Sequence, residues 1–148
     1  MDLFTIGYEG IDQRQFLSWL QGHNIDVVAD VRNLPLSRKK GFSKTALSSL
    51  LEENNIEYIN FRELGAPKEL RSFLIETKDY KTFFEMYKNS ISKNLDHVDA
   101  VLELVNEGKK VALLCYEKDP ETCHRKIVAN EVKKRDGNGL NIKHLRVY

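Results

Sequence analysis

Short apolar runs and helical stripes take turns along this chain. Leu3 to Ile6 is an apolar run that ends in Gly7, Tyr8, Glu9 and Gly10 and reads as a strand. A helix follows. Asp12 can cap it, Gln15 completes a capping box and Ile11 can staple onto Phe16. Phe16, Leu17 and Leu20 form its buried stripe with Trp19 beside it, and Gly22 ends it. Asp26 to Val31 is a second strand. A polar, basic loop runs from Arg32 to Phe42 and holds Pro35 and Gly41. Ser43 then caps a helix whose stripe is Ala46, Leu47, Leu50 and Leu51, and Ile56 to Phe61 is a third strand. This β-α-β-α-β order predicts a parallel sheet with right-handed crossovers.

The second half is less regular at first. In residues 62–79 only Pro67 gives a signal, the opening of a short helix through Phe73. Tyr80 to Asn94 is helical in pattern (Phe83, Phe84, Tyr87, Ile91), and Asp96 to Glu107 continues with Val98, Val101, Leu102 and Val105 before Gly108. Two helices and one kinked helix both fit. A strand at 111–116 follows, its run from Val111 to Cys115 typical of a buried strand. Asp119 and Pro120 then mark the start of a helix over 120–135, with Lys133, Lys134 and Arg135 at its carboxyl end. A last strand is expected at Ile142 to Val147. The expected fold is a single α/β domain over 1–148: a three-layer sandwich with a mainly parallel sheet of about five strands.

Composition narrows the class. At 148 residues the chain suffices for one core without staples, and its net charge of +1 leaves any attraction for anions to local groups. There is no apolar run near the ~20 residues of a membrane span, and no basic segment followed by a long apolar one at the start, so a cytoplasmic protein without a membrane partner is expected. Two cysteines make no disulfide framework, and reduced thiols are the expectation. There are no repeats. Glycine-rich phosphate loops are absent, and Gly7 and Gly10 are not a dinucleotide fingerprint.

Reactive side chains collect where strands end, which is where open α/β sheets bind ligands. Tyr8 and Glu9 follow the first strand. Asp30 and Arg32, two apart, point to one side of the second; the plainer reading is an internal ion pair that holds the following loop. Arg32, Arg38, Lys39 and Lys40 precede the helix at Ser43, so an arginine fork and a helix amino terminus together suit an anion. Phe42 fits a hydrophobic staple. Glu117, Cys123, His124 and Arg125 surround the turn after strand 111–116. Cys123 near a helix start has its thiolate favoured, His124 is a candidate acid or base, and Arg125 is placed to bind an anion. The plainer reading of both cysteines is burial in the core. Cys115 has no glycine-rich loop after it, against an anion directly above its sulfur. Zinc would want four ligands, and Cys115, Cys123 and His124 supply three, so no metal is assigned. Glu9 and Glu117 can act as paired carboxylates if their strands are neighbours.

The segments TIGYEG at 5–10, DVRNLPLSRKKGFS at 30–43, ELG at 63–65 and LLCYEKDPETCHR at 113–125 together resemble the DUF488 family. The matching positions are Gly7, Tyr8, Glu9, Gly10, Asp30, Arg32, Pro35, Ser37, Arg38, Phe42, Ser43, Leu64, Gly65, Cys115, Glu117, Cys123, His124 and Arg125. The resemblance implies a compact α/β domain and supports the choice of site; it implies no reaction. Residues 66–94 carry no matching motif.

The expected function is binding of a phosphate-bearing ligand, a nucleotide or nucleic-acid end, in a polar crevice at the carboxyl ends of the strands. Arg32, Arg38 and Arg125 hold the anion, with Tyr8, Asp30 and Ser43 completing the binding set. Glu9, Glu117 and His124 are the acids and bases for hydrolysis or group transfer. One alternative is a non-catalytic nucleotide or nucleic-acid sensor. The other is a thiol-dependent enzyme or redox sensor using Cys123. The sequence points to no cofactor and to no oligomeric state.

Overall fold

The structure is a computed structural model and describes residues 1–145. The described residues form five strands and six α-helices: β1 (Asp2–Gly7), α1 (Gln13–Gly22), β2 (Val27–Asp30), α2 (Lys44–Glu53), β3 (Glu57–Asn60), α3 (Lys68–Thr77), α4 (Tyr80–Ile91), α5 (Leu95–Asn106), β4 (Val111–Cys115), α6 (Arg125–Asp136) and β5 (Asn141–Leu145). All strand pairs are parallel, in the order β3-β2-β4-β1-β5. The expected three-layer α/β fold is therefore present, with a sheet that is wholly rather than mainly parallel. Among the described residues no helix is long and apolar enough to cross a membrane.

Side-chain alternation divides the apolar residues between two cores. Leu3, Val27, Ala29, Val111 and Leu113 face one side and pack with Tyr87, Ile91, Val101 and Val128 of α4, α5 and α6. Phe4, Ile6, Val28, Ala112 and Leu114 face the other and pack with Phe16 and Leu20 of α1 and Leu47 and Leu51 of α2. The strands are apolar on both faces because both faces are covered.

Local signals explain most boundaries. The capping box at α1 is complete, with Asp12 Oδ1 accepting from the Gln15 backbone at 2.8 Å and Gln15 Oε1 from the Asp12 backbone at 3.0 Å. The pattern over 80–107 resolves into two helices, separated by residues 92–94. The helix opened by Pro67 runs on to Thr77. Ser43 occupies the N-cap position of α2, but its hydroxyl does not cap: it accepts from the Ser37 backbone N–H at 2.9 Å and donates to the Ser37 carbonyl at 3.2 Å. Of the expected last strand, 142–145 lie in β5, and 146 and 147 lie outside the described residues.

The expected helix over 120–135 is corrected. Asp119 caps as predicted, accepting from Glu121, and Pro120 takes the first position, but only of a single 3-10 turn, Pro120–Thr122. Cys123 is then extended (φ −123°, ψ 142°), and α6 begins at Arg125. The break lets Cys123 turn its sulfur back onto Cys115 at the end of β4, and the two sulfurs are in bonding contact. The two cysteines, expected as separate side chains, are thus neighbours at the end of β4.

Parallel pairing sets Gly7 beside Cys115. The chain leaving β4 folds directly over Gly7, where a Cβ would overlap the carbonyl of Glu117 and stand 3.0 Å from Lys118 Cα. Gly7→Ala is expected to destabilise the protein by about 1–3 kcal/mol, the usual range for overpacking, read as a lower urea midpoint with an unchanged slope.

Candidate functional site

The order β2-β4-β1 brings three strand ends together, and the loops that leave them form one rim. The backbones interlock there: Val31 N–H donates to Leu114 at 3.1 Å, Tyr8 N–H to Cys115 at 3.3 Å and Glu9 N–H to Tyr116 at 2.8 Å.

On the α1/α2 side, Asp30 is fully buried and Arg32 nearly so. The pair is bidentate, Arg32 Nε to Asp30 Oδ1 at 2.8 Å and Nη2 to Oδ2 at 2.7 Å. Arg32 Nη1 donates further to the Phe42 carbonyl at 2.7 Å and the Tyr8 hydroxyl at 3.1 Å. Tyr58 OH adds a 2.5 Å bond to Asp30 Oδ2. Burial alone would pull the guanidinium down, but the hydrogen bonds and charge of Asp30 override it and hold Arg32 above the ordinary arginine range. Burial, then the neighbouring Asp30 charge, pushes the Tyr58 phenol up. Phe42 is buried, stacked on Tyr8 with ring centroids 4.6 Å apart. Arg32 and Asp30 thus tie the loop after β2 to the sheet, and Arg32 also borders the cleft described below.

On the opposite side, Arg125 is 0% exposed. Its donors reach Thr5 Oγ1 at 3.3 Å, Cys115 Sγ at 3.2 Å, the Lys118 carbonyl at 3.2 Å and the Glu117 carbonyl. It fixes the loop after β4 from beneath and is not among the residues that line the cleft described below. Glu9 works on the same loop from outside, its Oε1 accepting from the Lys118 N–H at 3.1 Å. It does not border the cleft either. Ser43 closes its loop through Ser37.

His124 sits between the two sides. Its Nε2 is 2.7 Å from the Val31 carbonyl. A carbonyl only accepts, so Nε2 carries the proton and a neutral ring keeps its lone pair on Nδ1. Burial, reinforced by the Arg125 charge and opposed by the Val31 bond, lowers His124 to about 4, so the ring is neutral near pH 7. Nδ1 lies 3.9 Å from Cys123 Sγ. Cys123 itself is 1% exposed. The donor atoms of Cys115, Cys123 and His124 all lie within 4.8 Å of one another, a group able to hold a metal ion.

Between these fixtures opens a cleft of about 610 Å³. One wall is Tyr8, Cys115, Tyr116, Glu117 and His124; the loop after β2 contributes Arg32, Leu34, Leu36, Arg38 and Lys39; α3 and α4 contribute Arg71, Leu74, Ile75 and Phe83. The rim is apolar and exposed, Leu36 at 67%, Ile75 at 77% and Tyr116 at 47%. Burial raises the Glu117 carboxyl above its usual range, with the Glu9 charge adding to it and Arg125 opposing. The Arg71 Nε is buried and has no hydrogen-bond partner among the described residues.

Of the expected site residues, the cleft gathers Tyr8, Arg32, Arg38, Glu117 and His124, and leaves Glu9, Asp30, Ser43, Cys123 and Arg125 behind its walls. Sequence reasoning missed Arg71 and the apolar rim. Leu34 and Leu36 stood in the loop already singled out, flanking Pro35, and an exposed apolar pair beside arginines was the available signal. Arg71 lies in a region without motif and had none.

The family model described as "Domain of unknown function DUF488" matches residues 12–132. The segment at 5–10 precedes that match. No curated protein and no solved structure matches the chain.

Removing one partner of a buried, hydrogen-bonded ion pair typically costs about 3–5 kcal/mol. Asp30→Ala is expected to lose that much in denaturant titration. In a double-mutant cycle, adding Arg32→Met is expected to restore part of the loss, because the second change removes the stranded charge.

Proposed function

The chain belongs to the DUF488 family, and from the chemistry of its cleft we propose that it binds a phosphate-bearing ligand, a nucleotide or a nucleic-acid end. The observation that carries this reading is Arg71, a guanidinium whose buried Nε lacks a partner beside the cleft. An unsatisfied buried donor costs about 1–3 kcal/mol, and an anionic ligand would answer it. Arg38 and Lys39 line the same cleft and add positive charge. Leu34, Leu36, Ile75 and Tyr116 supply the apolar surface that a nucleobase needs, and pockets with a few polar groups in an apolar lining are the common form of small-ligand sites.

Glu117 and His124 are the groups on the cleft wall available for hydrolysis or group transfer at a bound phosphate. A second reading, binding without turnover, is favoured by Glu9. Its carboxylate accepts from the Lys118 N–H and lies outside the cleft lining, close enough for its charge to act on Glu117 but leaving Glu117 the one carboxylate of that lining among the described residues.

Isothermal titration with nucleoside monophosphates and 5′-phosphorylated oligonucleotides tests the proposal. Saturable binding is expected, weakened about ten- to hundredfold by Arg71→Ala, in line with a charged hydrogen bond, and falling as salt rises. Tyr116→Ala is expected to weaken nucleotides more than inorganic phosphate. Absence of saturable binding across both ligand sets, or equal binding by Arg71→Ala, overturns the reading.

A further inference from the structure

We propose that Cys115, Cys123 and His124 bind one soft divalent ion of the zinc type, with a fourth coordination position open to the cleft. The inference does not rest on the phosphate reading, and it gives the His124 lone pair to the ion rather than to acid–base work.

The donor set comes first. Two sulfurs and an imidazole nitrogen converge within 4.8 Å. Around a tetrahedral zinc, with Zn–S near 2.3 Å and Zn–N near 2.0 Å, neighbouring donors stand about 3.4–3.8 Å apart. Cys123 Sγ and His124 Nδ1 are at 3.9 Å already. The Cα atoms of the two cysteines are 7.3 Å apart. Disulfides usually hold theirs at about 4.4–6.8 Å, so the backbone sits wider than a sulfur–sulfur bond prefers. Thiolates spread around an ion suit that spacing.

The surroundings are those of a ligand set. The Val31 carbonyl accepts from the Nε2–H of His124 and so aims Nδ1 toward Cys123. Metal-binding histidines are commonly oriented by such a bond from the far nitrogen. Arg125, buried and cationic, donates to Cys115 Sγ at 3.2 Å, as an outer partner of a ligating sulfur would. The break between the 3-10 turn and α6 is what carries Cys123 to Cys115.

Three ligands are too few for a closed structural zinc, but they are the number found in catalytic sites, where the fourth position takes water or substrate. Here Cys115 and His124 both line the cleft, and the Glu117 Oε2 lies 3.5 Å from Cys115 Sγ. The open position therefore faces the ligand cavity, beside a carboxylate that is not needed to hold the ion.

The test uses the full chain, reduced, stripped with chelator and titrated with Co²⁺ under anaerobic conditions, without nucleotide. One ion per chain is expected, with the visible bands of tetrahedral cobalt and a near-ultraviolet thiolate-to-cobalt charge transfer, both abolished by Zn²⁺. Cys123→Ser should reduce the charge transfer to that of a single thiolate or abolish it with the binding. His124→Gln should keep it while weakening binding by at least about tenfold, as loss of a tuned ligand environment does. Should Cys123→Ser not fold, alkylation of the wild type decides, since zinc should protect both thiols. Octahedral or absent cobalt binding overturns the proposal. So does a reduced protein whose thiols alkylate equally with and without zinc, or a pair that stays disulfide-linked and excludes metal.

Discussion

A guanidinium taken wholly out of water has to find acceptors for its donors, and Arg125 finds them in the chain that leaves β4. It cannot shed its charge at any ordinary pH, so the loop must present the carbonyls of Glu117 and Lys118 to it. That requirement pulls the loop down over Gly7, where no side chain would fit. The position of Tyr116 and Glu117 on the cleft wall follows from what lies beneath them. The wall is shaped by a residue that the cleft never meets.

Arg32 repeats the arrangement on the other face of the sheet. It joins Asp30 below to the Phe42 carbonyl and the Tyr8 hydroxyl above. Each of the two cores thus contributes one buried arginine at the same end of the sheet, and each arginine secures one loop. The cleft lies between two loops held independently. Its apolar rim, by contrast, is carried by the loop tip at Leu34 and Leu36 and by α3, which has no fully buried side chain. The frame is packed and internally bonded, whereas the rim is mostly surface. Such a division suits recognition, with geometry set below and contact made above.

The parts of this structure that were legible in the sequence are those that neighbours along the chain decide. Asp12 and Gln15 bond each other across three residues, and their signature needs no tertiary context. The apolar runs of β1, β2 and β4 and the stripes of α1, α2 and α5 were plain because a covered sheet requires them. The convergence of the β1, β2 and β4 loops was also legible, since parallel topology sends those loops to one edge. What escaped depended on contacts distant in sequence. Asp119 and Pro120 announced a helix start, but the turn they open ends after three residues because Cys123 is drawn to Cys115. Arginine is ordinarily a surface residue, so neither the burial of Arg125 nor its turn inward toward Thr5 and Cys115 could be read locally. Arg71 enters the cleft only because α3 is laid across it.

The strand order has a consequence for how the protein comes into being. β1 and β2 are made early, yet they do not touch as a pair; β4, synthesised some eighty residues after β2, slots between them. Until that segment emerges from the ribosome, the middle of the sheet is missing and only the β2–β3 ladder can zip. Pairings of such long sequence separation delay assembly, because loop closure must precede the contacts that reward it. The last strand to enter the centre also brings the sulfur, carboxylate and imidazole of the cleft wall. In this chain the chemistry arrives with the keystone.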